Sequence, residues 1–164
     1  MLIRDLWAGG RKETLWSKAG PYKVYSENMM DLAPEKELES EVVNAYLWIV
    51  GRRTGASIID AYSMTQVWQG SQKYFKRLDL LKHVAAGAVC HQGHWTLIIM
   101  YLKEKRSLYV DPFGATQKQI DHCRDVTRAL VRKHSPAIGK WTCSTVAHPK
   151  QKDTTSCGVF VCKS

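Results

Sequence analysis

From Trp95 to Leu102 the chain is apolar but for one threonine, Lys103, Glu104, Lys105 and Arg106 are all charged, and Ser107-Leu108-Tyr109-Val110 turns apolar again. Two runs that each bury a face need a water-exposed turn between them, so this stretch reads as two antiparallel strands around a polar loop. Any fold for the chain has to be built around that hairpin.

Helical spacing lies on either side of it. Leu38, Val42, Val43, Tyr46, Leu47, Ile49 and Val50 recur as one helix face, with Pro34 suited to a first turn and Gly51 to a stop. A shorter helix is expected around Met64, Val67 and Trp68. A third runs from Gln117 to His134, carries Ile120, Cys123, Val126 and Leu130 on one face, and stops at Ser135-Pro136. Residues 1–33 read as an opening segment with turns at Gly9-Gly10 and Gly20-Pro21 and one strand at 22–25. Helices around a central antiparallel sheet make an α+β class, and 164 residues without a repeat, linker or low-complexity tract make a single domain over 1–164.

No stretch reaches the roughly eighteen apolar residues of a membrane span, and Met1-Leu2-Ile3-Arg4-Asp5 lacks a secretory signal's apolar run, so an intracellular protein without a membrane role is expected. Cys90, Cys123, Cys143, Cys157 and Cys162 are odd in number, scattered and free of any C-x-x-C pair. They read as reduced thiols in the nucleus or cytoplasm rather than as a zinc or dithiol site. The net charge of +9 would suit an acidic partner. A solvated surface explains most of it, because no nucleic-acid motif accompanies the basic pairs and triplets.

His94 opens the first strand of the hairpin and Asp111 follows the second, so both fall at one end of the sheet. A register drawn symmetrically about the charged loop leaves them offset. One strand must bulge, or His94 must lie in the approach to its strand. Taken singly, His94-Trp95 is more often structural, and Asp111-Pro112-Phe113-Gly114 could be only a turn. Cys157 follows a polar turn and heads an apolar segment. A helix capped by Thr154, Thr155 or Ser156 would lower its pKa and favour the thiolate, whereas the competing reading is a core cysteine beside Val159 and Phe160. His91 lacks the following tryptophan and is the weaker candidate base. His83, His122, His134 and His148 read as surface side chains.

Together these pieces resemble the sentrin/SUMO-specific (ubiquitin-like-protein) cysteine proteases and their relatives in mobile genetic elements. The shared order is His94-Trp95, Asp111, Gln151 and, six residues on, Cys157-Gly158, and the segment from Leu38 to Tyr46 is similar to that family's helical signature. The resemblance runs from about residue 22 to the last residue. It implies a papain-like fold and a peptidase or isopeptidase cleaving after the C-terminal Gly-Gly of a ubiquitin-like modifier such as SUMO, with no cofactor or metal. Cys157 would be the nucleophile, His94 its base, Asp111 the residue that orients His94, and Gln151 an oxyanion donor. Partners would be the modifier and its conjugates, met by a monomer. Trp95 resembles the tryptophan that covers the channel for the Gly-Gly tail; otherwise it is a half-buried anchor for the hairpin.

Three departures qualify the resemblance. Ser156 stands where the family usually has Asp, and Glu37 stands where a second tryptophan walls the glycine channel. The family also continues several turns beyond the position of Ser164, so an expectation of weak activity, or of a non-catalytic binder of ubiquitin-like proteins, stands beside the protease reading.

Overall fold

The computed structural model describes residues 15–25, 28, 37–71, 78–148, 150, 152, 158 and 162. Strands β1 (Leu15–Ala19) and β2 (Tyr22–Tyr25) form an antiparallel hairpin across Gly20-Pro21. Helix α1 (Ser40–Thr54), strand β3 (Ser57–Ile59) and helix α2 (Ala61–Trp68) follow. Next come β4 (Val84–His91), β5 (His94–Tyr101), β6 (Arg106–Val110), helix α3 (Gln117–His134) and β7 (Thr142–Ser144). The larger sheet has the order β3-β4-β5-β6-β7, with β4, β5 and β6 antiparallel and both outer strands parallel to their neighbours. The centre of the sheet is antiparallel, as expected, and the two outer strands make the sheet as a whole mixed.

Alternation along the strands sends side chains to two cores. Val89, Ile98, Met100 and Tyr109 pack against Met64 and Val67 of α2 and Cys123, Val126, Leu130 and Val131 of α3. On the other face Ala88, Trp95, Leu97 and Val110 pack against Leu38 and against Val43 and Leu47 of α1. Helices thus cover both faces, as in an α+β layer architecture.

Helix α1 does not stop at Gly51, as the sequence suggested. Gly51 lies against β3, where an added Cβ would sit 2.5 Å from Ile58 Cγ1, so this glycine serves close packing inside the helix. The end falls at Gly55, whose φ of 77° is the left-handed conformation of a C-terminal glycine cap. At the other end of α1 the side chain of Glu39 makes no cap bond to the helix and instead accepts from Asn28 Nδ2 at 2.7 Å. Helix α2 starts on Asp60, which accepts from the Ser63 amide, while buried Asn44 of α1 accepts the Ala61 amide at 2.7 Å. The first bond caps α2, and the second ties its start to α1.

His122 and His134 are more than surface residues. The His122 Nε2 bonds the Trp68 carbonyl at 2.7 Å, and His134 bonds both the Leu78 amide and its own helix at Leu130, so each ties α3 to a neighbouring segment.

Candidate active site

The turn between β4 and β5 is two residues long, with φ of 52° at Gln92 and 73° at Gly93. Positive φ at both positions is the type I′ geometry that matches the twist of paired strands. It sets His91 opposite His94 and makes His94 the first residue of β5. Leu97 then pairs Val110, which carries the register on to Thr96 opposite Asp111. The offset foreseen from the sequence is therefore two residues, and no bulge is needed. A shift of two keeps both side chains on one face, and diagonal neighbours of this kind are within reach of long side chains.

The reach is made. His94 Nε2 and Asp111 Oδ1 are 2.8 Å apart, and Asp111 is 3% exposed. Asp111 is also the head of a turn, closed by the Gly114 amide on its carbonyl at 2.8 Å and by the Phe113 amide on Oδ1 at 2.8 Å. The turn and functional readings of this segment are thus both true: the turn holds the carboxylate still. With Nε2–H donating to the carboxylate, the imidazole has Nδ1 left for a second group.

Two contributors were not foreseen. Gln119 Nε2 donates to Asp111 Oδ2 at 3.4 Å while its Oε1 accepts the Thr116 amide at 2.9 Å, so the capping box that starts α3 also reaches the carboxylate. Its signal was present as Thr116-x-x-Gln119 just before a helical run. Phe113, half exposed, lays its ring on the His94 imidazole, with centroids 4.9 Å apart and planes 24° from parallel.

Trp95 points to the opposite face. It is 4% exposed, and its Nε1–H donates to the Leu38 carbonyl at 3.0 Å, so it is a fully buried anchor rather than a half-buried one. It also forms part of the wall of a cleft of about 610 Å³ whose rim carries Glu37, Glu39, Glu41 and Tyr62. Glu37 is exposed there. Gly158 is helical and buried, and a Cβ on it would meet Leu38 Cβ at 2.9 Å and Trp95 Cδ1 at 3.2 Å. Only glycine fits that approach. Cys157 and Gln151 lie outside the described residues. Among the cysteines that are described, Cys162 is helical, and burial pushes its thiol up to about 11. It stays protonated near neutral pH and is a poor nucleophile.

Proteins of known structure share the fold that carries this arrangement. The model of the Ulp1 protease family, C-terminal catalytic domain, matches residues 57–164. Ubiquitin-like-specific protease 1 of Saccharomyces cerevisiae is 21% identical over 164 residues, 93% of this chain and 26% of that protein. The chain thus spans about a quarter of that relative's length. Among solved structures, the C-terminal Ulp1 protease domain in complex with Smt3, the yeast ortholog of SUMO, aligns with a TM-score of 0.82 at 17% identity, over 98% of this chain and 77% of that one. The Chaetomium thermophilum Ulp1-like SUMO protease catalytic domain aligns at 0.73 and 12% identity, over 98% and 73%. These structural likenesses establish the fold. Since the family match covers well over half of the chain, the protein belongs to the Ulp1 protease family, in its C-terminal catalytic domain.

Proposed function

We propose that the chain is a thiol protease that cleaves after the C-terminal Gly-Gly of a ubiquitin-like protein such as SUMO, maturing its precursor or releasing it from lysine. The observation that carries this reading is the 2.8 Å bond from His94 Nε2 to a buried Asp111 in a chain of this family. In support, Gly158, covalently next to Cys157, packs beside Trp95, the residue after His94.

In this mechanism His94 accepts the Cys157 thiol proton through Nδ1, and Asp111 stabilises the resulting imidazolium. The thiolate adds to the carbonyl carbon of the terminal glycine. Its oxyanion takes hydrogen bonds from the Gln151 side chain and the Cys157 amide. Collapse of the intermediate breaks the C–N bond as the imidazolium passes its proton to the leaving amine, leaving a thioester. Water, deprotonated by His94, then hydrolyses the thioester to the glycine carboxylate and the free thiol. The modifier's tail would lie along the cleft between Glu37 and Trp95. The protein would act as a monomer in the nucleus or cytoplasm.

Incubation with a SUMO precursor and with a SUMO–lysine conjugate tests the reading. Release of a new Gly-Gly terminus that is lost in His94→Ala supports it. Binding of SUMO without cleavage of either substrate would make the chain a binder instead.

A further inference from the structure

The cleft beside Trp95 is acidic in a chain of net charge +9. Of the three glutamates on its rim, Glu37 is exposed and makes no hydrogen bond among the described residues. Glu39 accepts from Asn28 Nδ2 at 2.7 Å and Glu41 from the Lys23 amide at 3.1 Å, both uncharged donors, so each keeps a carboxylate oxygen for another group. The ion pairs among the described residues involve none of the three. Like charges on one rim repel one another and favour a cation among them.

A second observation points into the same cleft. Asn44 of α1 lines it and is only 7% exposed; its Oδ1 accepts the Ala61 amide at 2.7 Å, while its Nδ2 has no acceptor among the described residues. A buried donor left without an acceptor is uncommon and costly, and a peptide carbonyl would complete it. Backbone acceptors together with a positive side chain describe a basic peptide segment. We infer that the cleft reads a lysine or arginine on the residue immediately before the Gly-Gly of the tail, so that ubiquitin-like proteins with a basic residue there are the preferred substrates. The inference rests on the tail path proposed above. In that path the reacting end of the tail lies near Gly158, which packs on Leu38 and Trp95, two residues of the cleft wall. An extended chain rises about 3.3 Å per residue, so the residue before the glycines stands roughly 7 Å from the terminal one. It is the first to bring a side chain into the cleft. Lysine and arginine can lay their alkyl stems along the wall and carry the charge to the rim. Carboxylates on the rim leave that charge partly hydrated, which spares it the desolvation cost of a buried ion.

The full chain is titrated with two fluorescein-labelled tail peptides that differ only in arginine or glutamine before a C-terminal Gly-Gly, and binding is read by anisotropy. The arginine peptide should bind about fivefold tighter or more at low ionic strength, and the gain should shrink in about 1 M salt. Moving the arginine several residues toward the N-terminus should remove the gain. In the triple variant Glu37→Gln, Glu39→Gln and Glu41→Gln, the arginine-to-glutamine ratio should fall close to one; glutamine keeps an acceptor for Asn28 and for the Lys23 amide, so the fold is preserved. Coumarin amides of the same tails should show the same preference in KM when cleaved. Equal affinities, no binding of either peptide, or a gain that survives the move or the triple variant would overturn the inference. Cleavage of both tails at equal KM would overturn it while leaving the protease reading in place. A binding preference for arginine without cleavage of either tail would uphold the cleft's selectivity and overturn the protease reading.

Discussion

Gln119 at the start of α3 and Asp111 at the end of β6 are joined by a 3.4 Å hydrogen bond, so the cap of one helix steadies the carboxylate that holds His94. Asp111 accepts from three donors among the described residues: His94, the Phe113 amide and Gln119. Asp111→Asn keeps the shape but can present an amide N–H to the imidazole and favour the wrong tautomer. We expect a loss in turnover of about 10² to 10⁴ with folding retained, by analogy with the serine-protease case. Gln119→Leu should cost far less, roughly tenfold or under, and act on kcat rather than KM. Steady-state kinetics on both variants checks the order. Equal losses would mean that Gln119 does more than position.

Gly158→Ala places a methyl group 2.9 Å from Leu38 Cβ and 3.2 Å from the Trp95 ring. Neither neighbour is the loose end of a flexible chain, and overpacking of this kind costs about 1–3 kcal/mol. Denaturant unfolding should show that loss. An unchanged midpoint would mean that the helix carrying Gly158 can shift away from Trp95.

Gln151→Ala should lower turnover roughly ten- to a thousandfold with little change in substrate binding, as expected of a donor used in the transition state. An unchanged rate in single-turnover cleavage would remove Gln151 from the oxyanion site.

Glu37 lines the cleft beside Trp95 and is exposed, so a larger ring there has room. Glu37→Trp should lower KM for a substrate ending in Gly-Gly more than it changes kcat. A KM that stays the same would separate this cleft from the tail's path.

The sequence carried the hairpin, the bounds of α3 and the His94 and Asp111 pairing because each rests on local pattern: an apolar run broken by four charges, a capping box, a strand end. It did not reveal β4. Ala85, Ala86, Gly87 and Ala88 have little strand preference, and five successive buried residues show no alternation, since β4 is covered on both faces. Strands β3 and β7 are three residues each and pair in parallel with distant partners, a relationship that no local pattern encodes. Gly51 was read as a stop because nothing nearby in sequence shows that Ile58 will press against it. The depth of Trp95 depends on Leu38, 57 positions away, which no local pattern shows.

We propose Cys157, served by His94, as the activated nucleophile. A ubiquitin-like protein carrying a C-terminal electrophile in place of its last carboxylate measures this directly, because only a thiolate at the end of the tail's path forms the adduct. We expect an adduct, mapped by peptide mass to Cys157, that is lost in Cys157→Ala, sharply slowed in His94→Ala, and retained in Cys143→Ala and Cys162→Ala. Labelling that survives in Cys157→Ala, or an adduct mapped to another cysteine, would contradict it.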